Sequence, residues 1–190
     1  MKHALAPALV LMSLSCGSPG DRAVAVYSAQ YSDNSLPEEI ALLNDVDFEP
    51  ATLVAVAYDH VVARPTDGID LELEGNVAQW FGDQDHTEFN GLFVVRWRDL
   101  PWDDWLDTSF GFGSGLSWAT DDPLLEDKFH PETGATRLLW HIAVDIGVTL
   151  PWAPDWELLL RVHHRSGVFG TFDDVDGGSN AIGFGLRYHF

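Results

Sequence analysis

The stretch TRLLWHIAVDIGVTLP, residues 136–151, alternates without a break. Leu138, Trp140, Ile142, Val144, Ile146, Val148 and Leu150 share one parity, and Arg137, Leu139, His141, Ala143, Asp145, Gly147 and Thr149 share the other. Successive side chains of a strand point to opposite faces, so this segment is a strand with one face large and apolar and the other polar or small. Helical periodicity is scarce in the rest of the chain, and the same split recurs. Over 68–81, Ile69, Leu71, Leu73 and Val77 oppose Asp70, Glu72, Glu74 and Asn76. Over 88–97, Phe89, Phe93, Val95 and Trp97 oppose Glu88, Asn90 and Arg96. Over 107–118, Phe110, Phe112, Leu116 and Trp118 oppose serines and glycines, and over 179–190, Ile182, Phe184, Leu186, Tyr188 and Phe190 oppose Ala181, Gly183, Gly185, Arg187 and His189. A further strand begins at Leu158. Segments 23–31 and 51–63 are less cleanly two-faced and complete a set of eight.

The 190 residues suffice for one domain, and no linker or internal repeat divides them. Acidic residues number 30 against 10 basic, a formal charge of -20, which argues against nucleic-acid binding because that needs a basic footprint. The chain starts with Lys2, an apolar run from about Ala4 to Leu14, and then small residues. That is the pattern of a secretory signal peptide over 1–20, cleaved somewhere between 15 and 25, ahead of a barrel domain over 21–190. The run is too short for a mature transmembrane helix. The only cysteine, Cys16, falls in this zone, and the Ser-Leu-Ser before it is a poor lipoprotein signal.

Alternation alone does not say which face is inside. A soluble barrel of lipocalin type would turn the apolar face inward. Three features favour the opposite arrangement. The leader exports the chain; the polar face is glycine-rich or carries both signs of charge, as suits a narrow filled lumen; and the apolar face holds more aromatic bulk than so small an interior admits. Connections after the second, fourth and sixth strands are short, those after the first, fifth and seventh are longer and acidic, and the one after the third is short. Outer-membrane barrels show this asymmetry, with short turns in the periplasm. Trp102, Trp105, Trp152 and Trp156 fall in or beside the short turns, where an interfacial girdle belongs, and the chain ends in Phe190, a terminus typical of such barrels. The expectation is an all-β protein: an eight-stranded antiparallel up-and-down transmembrane β-barrel in the bacterial outer membrane. Across its lumen, Asp70, Glu72, Glu74 and Glu88 are expected to pair with Arg161, Arg165 and Arg187 as an ion-pair plug, because buried charges must be compensated. A conducting pore is not expected at this strand number.

In LLLRVHHRSGVFG, residues 158–170, the apolar parity Leu158, Leu160, Val162 runs into His164 and Ser166, while Arg161, His163 and Arg165 take the other face. With the C-terminus at the periplasm, this strand runs outward, so His164 and Ser166 sit at the outer rim of the lipid-facing surface. Asn180, at the start of the last strand, shares that face and rim. A serine hydroxyl is a weak nucleophile until a neighbouring base takes its proton, and the base needs a partner on its other nitrogen. His163 points into the lumen and is expected to be structural.

The segments HRSGVFG and GGSNAIGFGLRYHF resemble the C-terminus of the lipid A 3-O-deacylase (PagL) family, outer-membrane barrels of acyloxyacyl-hydrolase-like type. YSAQYSDNSL and FGDQDHTEFNGLFVVRWRDLPW are similar to barrels of the same neighbourhood. The resemblance spans most of the chain beyond the leader and is tightest towards the C-terminus. It implies a lipid-facing His-x-Ser pair that removes the 3-O-linked hydroxyacyl chain of lipid A without a metal or other cofactor. Ser166 would be the nucleophile, His164 the base and Asn180 its orienting partner, with Leu160, Val162, Ile182 and Phe184 holding acyl chains. Its partners would be lipid A or lipopolysaccharide and outer-membrane lipids, with a homodimer left open. Two positions depart from the family: Gly167 follows the serine where Asn is usual, and Asn180 stands where an acid is usual. Asp173, Asp174 or Asp176 in the preceding loop are other sources of that charge. The alternative is a non-catalytic structural or adhesive barrel whose acidic pairs, Glu38-Glu39, Asp121-Asp122 and Asp173-Asp174, bind cations, lipopolysaccharide or a partner. Such charge runs are more often merely solvated.

Overall fold

The computed structural model describes residues 20–32, 47–132, 134–168, 170–172, 174–175 and 177–190. The expected leader up to residue 19 with Cys16, the Glu38-Glu39 pair, Asp173 and Asp176 lie outside these residues. Eight strands follow in order: β1 (Arg22–Ser32), β2 (Phe48–Thr66), β3 (Ile69–Gly82), β4 (Thr87–Trp97), β5 (Thr108–Ala119), β6 (Leu138–Leu150), β7 (Ala153–Ser166) and β8 (Gly178–His189). Each pairs antiparallel with its neighbours in sequence, and β1 pairs with β8, closing an up-and-down barrel with no free edge. Among the described residues one short helix, α1 (Leu124–Phe129), lies in the β5–β6 connection. Two strands exceed their sequence outlines by more than one residue at an end. β2 extends at both ends, and β7 begins at Ala153 because the β6–β7 connection is only Pro151 and Trp152, with Leu150 already paired to Ala153.

The burial of the two alternating faces fixes which one is inside. Val26, Val56, Leu73, Phe93, Phe112, Leu116, Ile146, Leu158 and Phe184 are all exposed on the outer surface. Arg96, Arg161, Arg165 and Arg187 are buried within, at 0–1% exposure. So wide an apolar exterior, wrapped around a charged interior, is stable only with hydrocarbon against it. Aromatic pairs mark the two rims. Trp97–Phe110, Trp156–Tyr188 and Tyr188–Phe190 lie on the short-turn side, and Phe89–Trp118 and Trp140–Phe172 on the other. Trp105 and Trp152, in the short turns, are 82% and 80% exposed.

The lumen is filled. Tyr27, Leu53, Trp80, Leu159 and a set of alanines pack on the β1–β3 side, and Leu92, Val94 and Ala143 form a smaller apolar group. Ion pairs occupy the remaining lumen. Glu74 meets Arg161 at 2.6 Å and Glu88 meets Arg165 at 3.7 Å, as expected across the barrel. Asp70 and Glu72 pair differently: Asp70 meets Arg64 and Arg98, and Glu72 meets Arg96, on strands or turns beside their own. Arg187 in turn binds Asp145, Glu157 and Asp59. The height of a residue along the barrel, set by strand register, decides which charges meet. Gly111 makes room for this network, since a Cβ there would come within 2.7 Å of Arg96 Nη1 and of Asp145 Oδ1.

α1 closes the long-loop mouth. At six residues it cannot persist alone and is held by tertiary contacts. Leu125 is buried among the luminal apolar residues, Phe129 stacks on Tyr31 at 6.1 Å, and the Leu125 N–H donates to Gln84 Oε1 at 3.2 Å.

Candidate functional site

β7 reaches the long-loop rim with His164 and Ser166 outward and half-buried, and with His163 and Arg165 inward and fully buried. On one side β7 pairs with β6, setting Ile142 opposite His164 and Trp140 opposite Ser166. On the other side it pairs with β8, setting Asn180 opposite His164 and Gly178 opposite Ser166. The three polar residues singled out in the sequence are therefore brought together on one patch of the outer wall.

His164 Nδ1 lies 2.6 Å from Asn180 Oδ1. An amide oxygen only accepts, so with this assignment Nδ1 carries the proton and Nε2 is left as the basic nitrogen. Ser166 Oγ accepts from the Val168 N–H at 3.1 Å. His164 and Ser166 share no direct hydrogen bond. Two residues along a strand are separated by about 7 Å between Cα atoms, so rotation of the two side chains is needed to join them. Val168 has φ +49°, a left-handed conformation that is an outlier for a β-branched residue. At Gly167 a Cβ would stand 1.8 Å from Val175 O, so no larger residue fits this backbone.

The expected acyl-chain residues continue the patch downward. Val162 pairs with Ile182, and Leu160 with Phe184, forming two apolar rungs directly beneath His164 and Asn180. Val162 is 7% exposed and Phe184 74%, so the column is uneven, with one prominent ring. Trp140 and Phe172 were not singled out from sequence. Their rings lie 6.4 Å apart, and Trp140 Nε1 donates to Ser114 Oγ at 3.0 Å, fixing an aromatic wall beside Ser166. Trp140 was legible only as a member of an apolar face; its neighbour across β6 and β7 depends on register.

His163 is structural, as expected. Its Nε2 lies 2.8 Å from Glu88 Oε2 and its Nδ1 lies 3.0 Å from the Tyr27 hydroxyl, inside the lumen. Of the loop acids, Asp122 pairs with Arg137 at 3.1 Å on the surface, and Asp174 is exposed with φ +58°.

Among solved structures, a de novo designed transmembrane β-barrel matches with TM-score 0.51 and 10% identity, over 92% of this chain and 98% of its own. The Neisserial surface protein A (NspA) matches with TM-score 0.51 and 8% identity, over 92% of this chain and 100% of its own. The outer membrane protein OprG of Pseudomonas aeruginosa matches with TM-score 0.40 and 12% identity, over 92% and 99%. No family model matches the chain, and no curated protein matches it significantly. At these identities the likeness is one of fold: the chain has the closed eight-stranded architecture of the transmembrane barrels of bacterial outer membranes.

Proposed function

We propose that this barrel is an outer-membrane ester hydrolase that removes the 3-O-linked hydroxyacyl chain of lipid A. The observation that carries the reading is the 2.6 Å bond from His164 to Asn180 on the lipid-facing outer rim, with Ser166 next on the same strand face. A polar constellation facing lipid is costly unless it serves a function, though the cost is smaller at the rim than at mid-membrane. The strained Val168 beside the serine adds support, since such outliers concentrate at functional sites.

In this reading Ser166 Oγ attacks the ester carbonyl carbon while His164 Nε2 takes its proton. The sugar hydroxyl leaves with that proton, and the acyl group stays on Ser166. Water, deprotonated by the same nitrogen, then attacks the acyl-enzyme and releases the hydroxy acid. Asn180 holds the ring in the tautomer that keeps Nε2 free. Leu160, Val162, Ile182 and Phe184 offer acyl chains an apolar column, and the membrane places the substrate there. This chemistry draws on no metal or cofactor.

The test is ester hydrolysis by the full chain folded in detergent. Ser166→Ala and His164→Ala are each expected to lower kcat by roughly a thousand-fold or more. Wild-type rates in a folded Ser166→Ala variant would remove the assignment. A second reading, a non-catalytic barrel, is favoured by one observation: the Ser166 hydroxyl is engaged by the Val168 N–H rather than by His164. It expects no hydrolysis by either protein.

A further inference from the structure

One buried carboxylate from the mouth loop reaches the underside of this site. Glu126 of α1 is 1% exposed. Its Oε1 accepts from Arg165 Nη1 at 2.8 Å and from Ser179 Oγ at 2.6 Å. Arg165 and Ser179 are directly opposite each other in the β7–β8 ladder, and the adjacent rung is His164 opposite Asn180. Alternation sends the first pair into the lumen and the second out to the lipid. A single oxygen thus ties the two strands together on the inner face, one residue away from the outer contact that orients the histidine.

The location matters because the ladder ends one rung further on, at Ser166 opposite Gly178. Strand ends open more readily than strand centres. The 2.6 Å contact between His164 and Asn180 depends on the spacing of two backbones near this end, where the Gly167 N–H donates to Gly177 O at 2.8 Å just past the last rung. Arg165 also donates to the carbonyls of Thr136 and Arg137, at 3.3 and 3.1 Å. Both limbs of the β5–β6 loop are therefore fastened to the same guanidinium. Leu125 in the lumen and Phe129 on Tyr31 hold the helix that delivers the carboxylate.

We propose that Glu126 is a positioning residue, which clips β7 to β8 from inside the barrel and so couples docking of the extracellular mouth loop to the His164–Asn180 geometry outside. Its effect on catalysis rests on the hydrolase reading; its effect on the histidine does not. The experiment uses the full chain folded in detergent with 15N-labelled histidine, as wild type, Glu126→Ala, Glu126→Gln and Ser166→Ala. Heat-modifiable gel mobility checks the fold, and the His164 ring 15N signal, kcat and KM on a lipid ester are the readouts. Glu126→Ala is expected to shift the His164 Nδ1 signal and to lower kcat about ten-fold or more, with KM within about two-fold. Glu126→Gln keeps an acceptor oxygen for both donors and is expected to recover most of kcat. A folded Glu126→Ala variant with a wild-type histidine signal, or with wild-type kcat, overturns the proposal. If wild type is as inactive as Ser166→Ala, the hydrolase reading fails, and the histidine signal alone decides for or against the clip. Should Glu126→Ala not fold, Ser179→Ala removes one arm of the clip and is judged by the same readouts.

Discussion

Asn180 stands where a serine–histidine pair more often has a carboxylate, and this single side chain sets how far His164 can be stabilised as an imidazolium. An amide fixes the tautomer but supplies no charge. Asn180→Asp is therefore expected to raise kcat, by about ten-fold or more, if the site works as a serine hydrolase, because a carboxylate in a triad is worth far more than an amide in the same place. Steady-state kinetics on the folded barrel check this, and an unchanged or lower kcat counts against His164 as the base. The three polar residues were legible in the sequence because a strand's period of two assigns every residue to a face. Their neighbours were not. Trp140 opposite Ser166, and the approach of Val175 O to Gly167, follow from register and loop path, which alternation leaves undetermined.

Among the elements, the strands were readable and α1 was not. Eight alternating segments declared themselves, whereas six residues in an acidic loop give too little periodicity to register, and nothing in the sequence sets Glu126 apart. It is instead buried, and burial pushes its carboxyl above the usual range, offset in part by Arg165 and by the Ser179 hydroxyl. A carboxyl whose pKa is higher in the docked loop than in the free one contributes stability that is complete below the free value and lost as pH rises through the raised one. Loop docking in wild type is thus expected to strengthen on acidification through that window, relative to Glu126→Gln, which does not titrate. Arg165, Glu88 and His86, the charged or titratable groups facing this carboxyl, are common to both proteins, so the difference isolates Glu126. Hydrogen exchange of the Leu124–Phe129 amides measures it, and parallel pH profiles would contradict the assignment.

At the scale of the molecule, the barrel is an apolar sleeve around a core of paired charges. The sequence carried the sleeve, the strand number and the presence of both charge signs inside. It carried the two facing sets of charge, of which Glu74 meets Arg161 and Glu88 meets Arg165, but not the pairing of Asp70 and Glu72 with arginines close beside them or of Arg187 with Asp59, Asp145 and Glu157, since strand register sets the heights at which charges meet. Arg161→Met, which strands Glu74 in the lumen, is expected to cost about 3–5 kcal/mol, and the double replacement with Glu74→Leu to recover most of it. Denaturant unfolding in detergent checks both, and an additive double variant would show that the pair is not coupled. The functional claim depends on this architecture, because only an inverted barrel brings a serine and a histidine to the lipid. Its most direct test is mass spectrometry of lipid A from cells making the wild-type protein or Ser166→Ala. Loss of one hydroxyacyl chain with the wild type alone is the expected result. Identical lipid A from both, with both barrels folded in the outer membrane, would contradict it.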